Sequence, residues 1–164
     1  MDEDPAGGER ARPGTVSLGA TPDRCEHGGF MTTTAMINAH PNPTDDLDVD
    51  KLSEAIDAAL ACAQTCTACA DACLAEEMVA ELRDCIRTDL DCADICATTA
   101  AVLSRRTGSN LTVVKAQLEA CRTACAACAE DCESHAEMHE HCRLCAEACR
   151  RCEQACADLL AVIG

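Results

Sequence analysis

The residues that could do chemistry are the cysteines. Sixteen of the seventeen recur in four groups: Cys62, Cys66, Cys69 and Cys73; Cys85, Cys92 and Cys96; Cys121, Cys125, Cys128 and Cys132; and Cys142, Cys145, Cys149, Cys152 and Cys156. The seventeenth, Cys25, stands apart near the N-terminus. Deprotonated, a cysteine is a nucleophile and a soft metal ligand. The steps of three and four residues matter as much as the residue type. At about 100° per residue, offsets of 0, 4, 7 and 11 keep four side chains in one narrow arc of a helix, drifting by roughly 20° over the span. Each group is therefore a stripe.

Many thiols imply disulfides, metal or redox chemistry. Helical neighbours at i and i+4 sit near the upper limit of bridgeable Cα separation, so local disulfides fit poorly. No stretch resembles a secretory signal and no run reads as long enough to span a bilayer, which gives cytoplasm as the expected compartment. There thiols stay reduced. Cysteine also packs as a small hydrophobe. Ala or Val would fill the same space without the hazard of oxidation, so packing alone does not account for sixteen. The expectation is a thiolate metal core.

Soft thiolates select Cu(I), Zn or iron–sulfur clusters. A zinc ion on four thiolates leaves two net negative charges, and several such sites in one core are costly to bury. Cu(I) on bridging thiolates approaches one metal per sulfur and leaves the interior nearly neutral. Cβ atoms at i and i+4 lie about 5–6 Å apart. With a metal–sulfur length of about 2.3 Å, a linear S–Cu–S unit spans about 4.6 Å, so one C-x3-C pair can hold one ion. Tetrahedral zinc would need four sulfurs converging from several helices. Zinc knuckles and ferredoxin clusters usually draw cysteines from loops with Gly or Pro, which these lack. Cu(I) is favoured. A general scavenger of Zn, Cd or Ag, or a thiol or Fe–S redox protein, remains the alternative. Cys142-x2-Cys145 and Cys149-x2-Cys152 are spaced like oxidoreductase motifs, but no βαβ pattern surrounds them. No Ser/His/Asp set, phosphate loop or paired-carboxylate cleft is present, so no enzyme is expected.

The elements that position these stripes follow from the rest of the chain. Residues 1–45 are rich in Pro, Gly, Thr and charge without apolar period, and read as a disordered tail that includes Cys25, His27 and His40. From Thr44 onwards Pro is absent, Gly is confined to Gly108 and Gly164, and Ala, Leu, Glu and Arg dominate. The spacing predicts helices over about 46–76, 79–106, 111–135 and 139–163. Thr107-Gly108-Ser109-Asn110 supplies a glycine stop and an N-cap. CAQTCTACADAC at 62–73 and CRTACAACAEDC at 121–132 both spell C-x3-C-x2-C-x3-C, so the chain holds two copies of one hairpin unit. Short links give an all-α fold, an antiparallel up-down four-helix bundle over 46–164 with a Cys-lined core. One Phe, no Trp and no Tyr leave the core without large rings. A net charge of −16 argues against nucleic acid, which needs a basic face, and no membrane partner is expected.

Antiparallel topology makes the two ends differ. One gathers Glu76, Glu77, Met78, His135, Met138, His139 and His141. The other collects Leu52, Ile56, Leu60, Val102, Leu103, Leu111, Val113, Val114, Leu118, Leu159, Leu160, Val162 and Ile163 as an apolar plug. Imidazole and thioether bind Cu(I) more weakly than thiolate, which suits hand-over, so metal entry is expected at His135, Met138, His139, His141 and Met78. Asp89 occupies the i+4 place after Cys85, where other stripes carry cysteine. It faces either the cavity, as a further metal-entry carboxylate near that end, or solvent.

The sequence over about 50–160 closely resembles the bacterial copper storage proteins, the four-helix bundle copper-binding proteins. The resemblance rests on CAQTCTACADAC, on DCIRTDLDCADIC, and on CRTACAACAEDC followed by HCRLCAEACRRCEQAC. It implies a homotetramer of bundles, each filling its core with many Cu(I) ions. Copper donor and acceptor proteins are the expected partners. Exported members carry a signal peptide, so this chain looks like the cytosolic type. Family members carry His and Met at the open end. The long N-terminal tail departs from the family, and no function is carried onto it.

Overall fold

The computed structural model describes residues 28–43, 45–46, 48–108 and 110–163. Among them are five helices and no strand: α1 (Gly28–Asn38), α2 (Val49–Ala75), α3 (Arg83–Leu103), α4 (Leu111–His135) and α5 (Glu140–Leu160). The Asp48 carboxylate opens α2 by accepting the Lys51 N–H at 3.0 Å, and the Asn110 side chain opens α4 by accepting that of Val113 at 3.4 Å. Between α3 and α4 the chain reverses through Gly108, whose φ of 77° is a left-handed conformation that favours glycine.

The helices α2 to α5 pack in cyclic order, α2 on α3, α3 on α4, α4 on α5 and α5 back on α2. This is the antiparallel bundle that the short links require. α3 starts at Arg83 rather than near 79. Residues 76–82 form successive turns, with Val79 N–H bonded to the Glu76 carbonyl and Leu82 N–H to that of Val79. Leu82, almost wholly buried, pins this loop to the core and delays the helix.

α2 also departs from expectation in one respect. Its 27 residues, with a mean hydropathy of 1.3 over its most apolar stretch, are long and apolar enough to cross a membrane. That hydropathy comes largely from Ala and Cys. Cys62, Cys66, Cys69 and Cys73 are buried against the other helices, as in the core helix of a bundle.

Residues 1–27 of the expected tail lie outside the described residues. The part from 28 differs from a disordered tail: α1 is a helix docked on α2. Ile37 enters the core, and Thr33 Oγ1 donates to Asp57 Oδ1 at 2.5 Å. The Arg106 guanidinium donates to the carbonyls of Ile37 and Pro43, each at 2.9 Å, and Asn42 Nδ2 donates to the Arg106 carbonyl at 2.6 Å. A short helix without apolar period is marginal alone, and these tertiary bonds hold it. Ile37→Ala is expected to cost about 2–4 kcal/mol of docking energy, by analogy with other buried Ile truncations. Amide exchange should then accelerate across 32–43 and leave α4 and α5 protected.

The core has two chemically distinct parts. At the Gly108 end Leu52, Ile56, Leu103, Leu118 and Leu159 are buried, with Val114, Leu160 and Ile163 packed against them. Leu60, Leu111, Val113 and Val162 of the expected plug are exposed instead, because they lie on the outer arcs of their helices. Beyond the plug the core is lined mainly by cysteine and alanine.

Candidate metal centre

All sixteen cysteines of the four stripes are buried free thiols. Their sulfurs form a continuous column along the bundle axis. Near the apolar plug, Cys96 Sγ lies 3.6 Å from Cys121, 3.5 Å from Cys125 and 3.9 Å from Cys152. One step along, Cys62 lies 3.9 Å from both Cys92 and Cys125 and 3.6 Å from Cys149. Further on, Cys66 contacts Cys149 at 3.5 Å, Cys145 at 3.6 Å and Cys128 at 3.9 Å. Cys85 and Cys132 meet at 3.6 Å.

These sulfurs group into sets with mutual separations within 4.8 Å. One is Cys62, Cys96, Cys125 and Cys152, which takes one sulfur from each of α2, α3, α4 and α5. Others are Cys62, Cys66, Cys92 and Cys149, and Cys66, Cys128, Cys145 and Cys149. Four sulfurs from four helices therefore do converge. This removes the geometric objection to a four-sulfur zinc site that helical spacing alone suggested. Pairs within one helix, Cys62 with Cys66 at 3.7 Å and Cys92 with Cys96 at 3.8 Å, are no closer than pairs across helices. The charge argument still stands. Cys62, Cys66 and Cys149 belong to more than one set, so a full complement of thiolates must share ions, and only a monovalent ion lets the column approach neutrality.

Asp89 lies inside the column, with no exposure to solvent. Its Oδ1 accepts from Cys128 at 3.0 Å, Cys145 at 3.2 Å and Cys132 at 3.4 Å. Burial pushes its carboxyl up to about 8. Burial likewise pushes Cys73 up to about 11 and raises Cys142. A cation entering beside these three groups must displace their protons, whereas hydrogen bonds from Cys132 and Cys69 lower Cys85 to about 3.

The Asp89 shift carries a pH dependence. From its ordinary 3.8 to about 8 the folded state binds a proton that the unfolded state has released. Stability of the metal-free protein therefore falls as pH rises through that window, by up to ~1.4 kcal/mol per pH unit from this group. Asp89→Asn should flatten the slope. Chemical denaturation of reduced wild type and variant between about pH 5 and 8 checks it, and parallel slopes would contradict the assignment.

At the far end from the plug the column meets histidine. His141 Nδ1 lies 3.4 Å from Cys69, 3.5 Å from Cys142 and 3.9 Å from Cys73. Its Nε2 is 3.3 Å from Glu76 Oε1, and the same oxygen is 3.1 Å from His139 Nδ1. The two rings stand 5.3 Å apart. Met78 and Met138 are at the surface, 45% and 63% exposed, and His135 is half-buried as the last residue of α4. The structure thus brings His139 and His141 together through Glu76, a residue that the sequence places at this end but gives no task. At the opposite end Thr99 closes the column. Its hydroxyl donates to the Ile95 carbonyl at 2.8 Å and accepts from Gln117 Nε2 at 2.9 Å, and Leu118 and Leu159 are buried at the same end.

A four-helix bundle with a column of free thiols, sealed at one end and meeting imidazole at the other, is a container for soft metal ions. The chain belongs to the copper storage protein family, whose model matches residues 48–161. Among solved structures it is similar to the copper storage protein Ccsp from Streptomyces lividans loaded with 10 copper equivalents. Identity is 55%, coverage 79% of this chain and 98% of that one, and the TM-score 0.78. It is also similar to a cytosolic copper storage protein from Streptomyces lividans with five coppers, at 62% identity and TM-score 0.69, covering 70% of this chain and 96% of that one. A histidine-to-alanine mutant of Streptomyces lividans Ccsp matches at 60% identity and TM-score 0.72, covering 73% and 99%. A comparison with curated proteins finds no match.

Proposed function

We propose that this protein stores Cu(I) in the cytosol, with the sixteen stripe cysteines as ligands and no catalytic cycle. The observation that carries the reading is the continuity of the thiol column: every stripe cysteine is buried, and each of the sulfur sets named above shares a member with another. Discrete structural sites would be separated by apolar layers. A store needs contiguous ligands so that each added ion shares sulfurs with the last.

Entry at the imidazole end accords with the geometry there. His139, His141, His135, Met78 and Met138 offer weaker ligands outside the thiols, and Asp89 offers a carboxylate within the column. Replacing His135, His139 and His141 together with Ala should slow uptake at unchanged capacity; unchanged kinetics would refute this entry route. A homotetramer, with copper donor and acceptor proteins as partners, is supported by the family resemblance. Exposed Leu60, Leu74, Leu90 and Leu144 on the helix surfaces give subunits apolar area to cover.

The deciding experiment is anaerobic titration of the reduced protein with Cu(I), read by metal analysis after gel filtration and by competition with a Cu(I) chelator. Retention of many ions per chain, approaching the number of thiols, supports storage. Saturation at one or two ions, or displacement of Cu(I) by zinc, would turn the reading towards a zinc or redox protein.

A further inference from the structure

The Glu76 carboxylate has no proton to give, so both nitrogens that contact it must be the protonated ones. This fixes two tautomers at once. His139 carries its proton on Nδ1 and leaves Nε2 with a lone pair. His141 carries its proton on Nε2 and leaves the lone pair on Nδ1, the nitrogen within 3.4 to 3.9 Å of Cys69, Cys142 and Cys73. In the other tautomer His141 would present an N–H to those sulfurs and could not bind a cation beside them.

We infer that Glu76 is a positioning residue for metal uptake: by accepting from His139 Nδ1 and His141 Nε2 through one oxygen, it keeps the His141 Nδ1 lone pair turned to the first thiols of the column. The inference rests on the entry route proposed above and adds to it a group that binds no metal itself. Its placement suits the task. Glu76 is the residue at which α2 gives way to the loop, with its backbone N–H still bonded to the Cys73 carbonyl at 3.3 Å and its φ and ψ already extended, at −75° and 145°. The carboxylate is thus anchored at the end of the helix that carries Cys69 and Cys73, and it reaches across to α5. The two imidazoles hold it below the usual carboxylate range, so it stays ionised and acceptor-only. Partners of this kind, which orient a ligating imidazole through its other nitrogen, typically change metal affinity or activity by about 10- to 100-fold when removed.

Two variants separate orientation from charge and from folding. Glu76→Gln keeps an acceptor oxygen without the charge; Glu76→Ala removes both. Long-range 1H–15N correlation spectra of the reduced, metal-free protein report the tautomers without reference to copper, and stopped-flow mixing with Cu(I) under anaerobic conditions reports uptake. Wild type and Glu76→Gln should show His141 unprotonated at Nδ1 and similar uptake rates. Glu76→Ala should show mixed tautomers and uptake slowed about tenfold, at unchanged final capacity. An unchanged tautomer in Glu76→Ala would overturn the inference. So would uptake equally slow in both variants, since charge rather than proton placement would then be at work. If Glu76→Ala takes up metal normally while the triple His→Ala variant is slow, the entry route stands and the role of Glu76 falls. If the triple variant is also normal, the entry route falls with it.

Discussion

Loading with Cu(I) is expected to raise the melting temperature of this protein by tens of degrees. The metal-free fold is held by the aliphatic plug, by long helices and by thiol contacts that are individually weak. The chain carries a single Phe and no Trp or Tyr, so large rings contribute little to its packing. Each ion bound to the folded state and not to the unfolded chain adds RT ln(1 + [L]/Kd), about 4 kcal/mol at a thousandfold excess over Kd. In a domain of this size 1 kcal/mol shifts the midpoint by roughly 2–8 °C. Two or three tightly held ions already suffice for tens of degrees, and the column offers room for more. Calorimetry of reduced protein with stepwise Cu(I) checks this. Unlike a zinc finger, the metal-free form should give a cooperative transition of its own, because Leu52, Ile56, Leu103, Leu118 and Leu159 are buried without help from metal. A midpoint independent of Cu(I) would contradict the thiol column as the binding site.

Replacing Cys62, Cys96, Cys125 and Cys152 together with Ser is expected to remove at least a quarter of the Cu(I) capacity, since four of the sixteen thiols are lost. The loss should be larger than that fraction. These four form one set across all four helices, and they lie between the imidazole end and Cys121, which sits beside Cys96 and Cys152. An ion that enters past His141 must cross a layer of hydroxyls, poor ligands for Cu(I), to reach the last thiols. The fold should tolerate the change. Thr65, Thr67, Thr99 and Ser104 already return their hydroxyls to carbonyls four residues earlier, at 2.7 to 2.8 Å, and the new serines have the same recourse. Circular dichroism establishes the fold and metal analysis the capacity. A loss of four ions or fewer would indicate that the ends fill independently.

Much of this architecture is written locally. Steps of three and four place Cys62, Cys66, Cys69 and Cys73 on one face whatever surrounds them, and the repeat at Cys121–Cys132 doubles the constraint. The bundle and its lining follow from that. What escaped is what depends on distant partners. The sequence leaves Asp89 between cavity and solvent because α3 carries only Cys85, Cys92 and Cys96, and the seven-residue gap pins its rotation loosely. The packing of α3 against α4 turns Asp89 onto Cys128 and Cys132. The helix α1 has no apolar period, and its order comes from Arg106 and Asp57, far along the chain. Glu76 meets His139 and His141 across more than sixty residues; no motif announces such a pair. The outward-facing residues of the plug failed for a simpler reason: an apolar residue near a bundle end is not thereby inside it.

On the entry route proposed above, the seal formed by Thr99, Gln117, Leu118 and Leu159 leaves the column one door. A vessel with a single opening and sites in file keeps an order of service. The ions that travel deepest, to Cys121 and Cys156, are shielded by those behind them and leave last. The ions around Cys69, Cys73 and Cys142 turn over first. Such a protein behaves as a stack with a fast upper layer that can answer brief demand and a slow reserve beneath it, so exchange with the surroundings should be biphasic even though every ligand is the same sulfur.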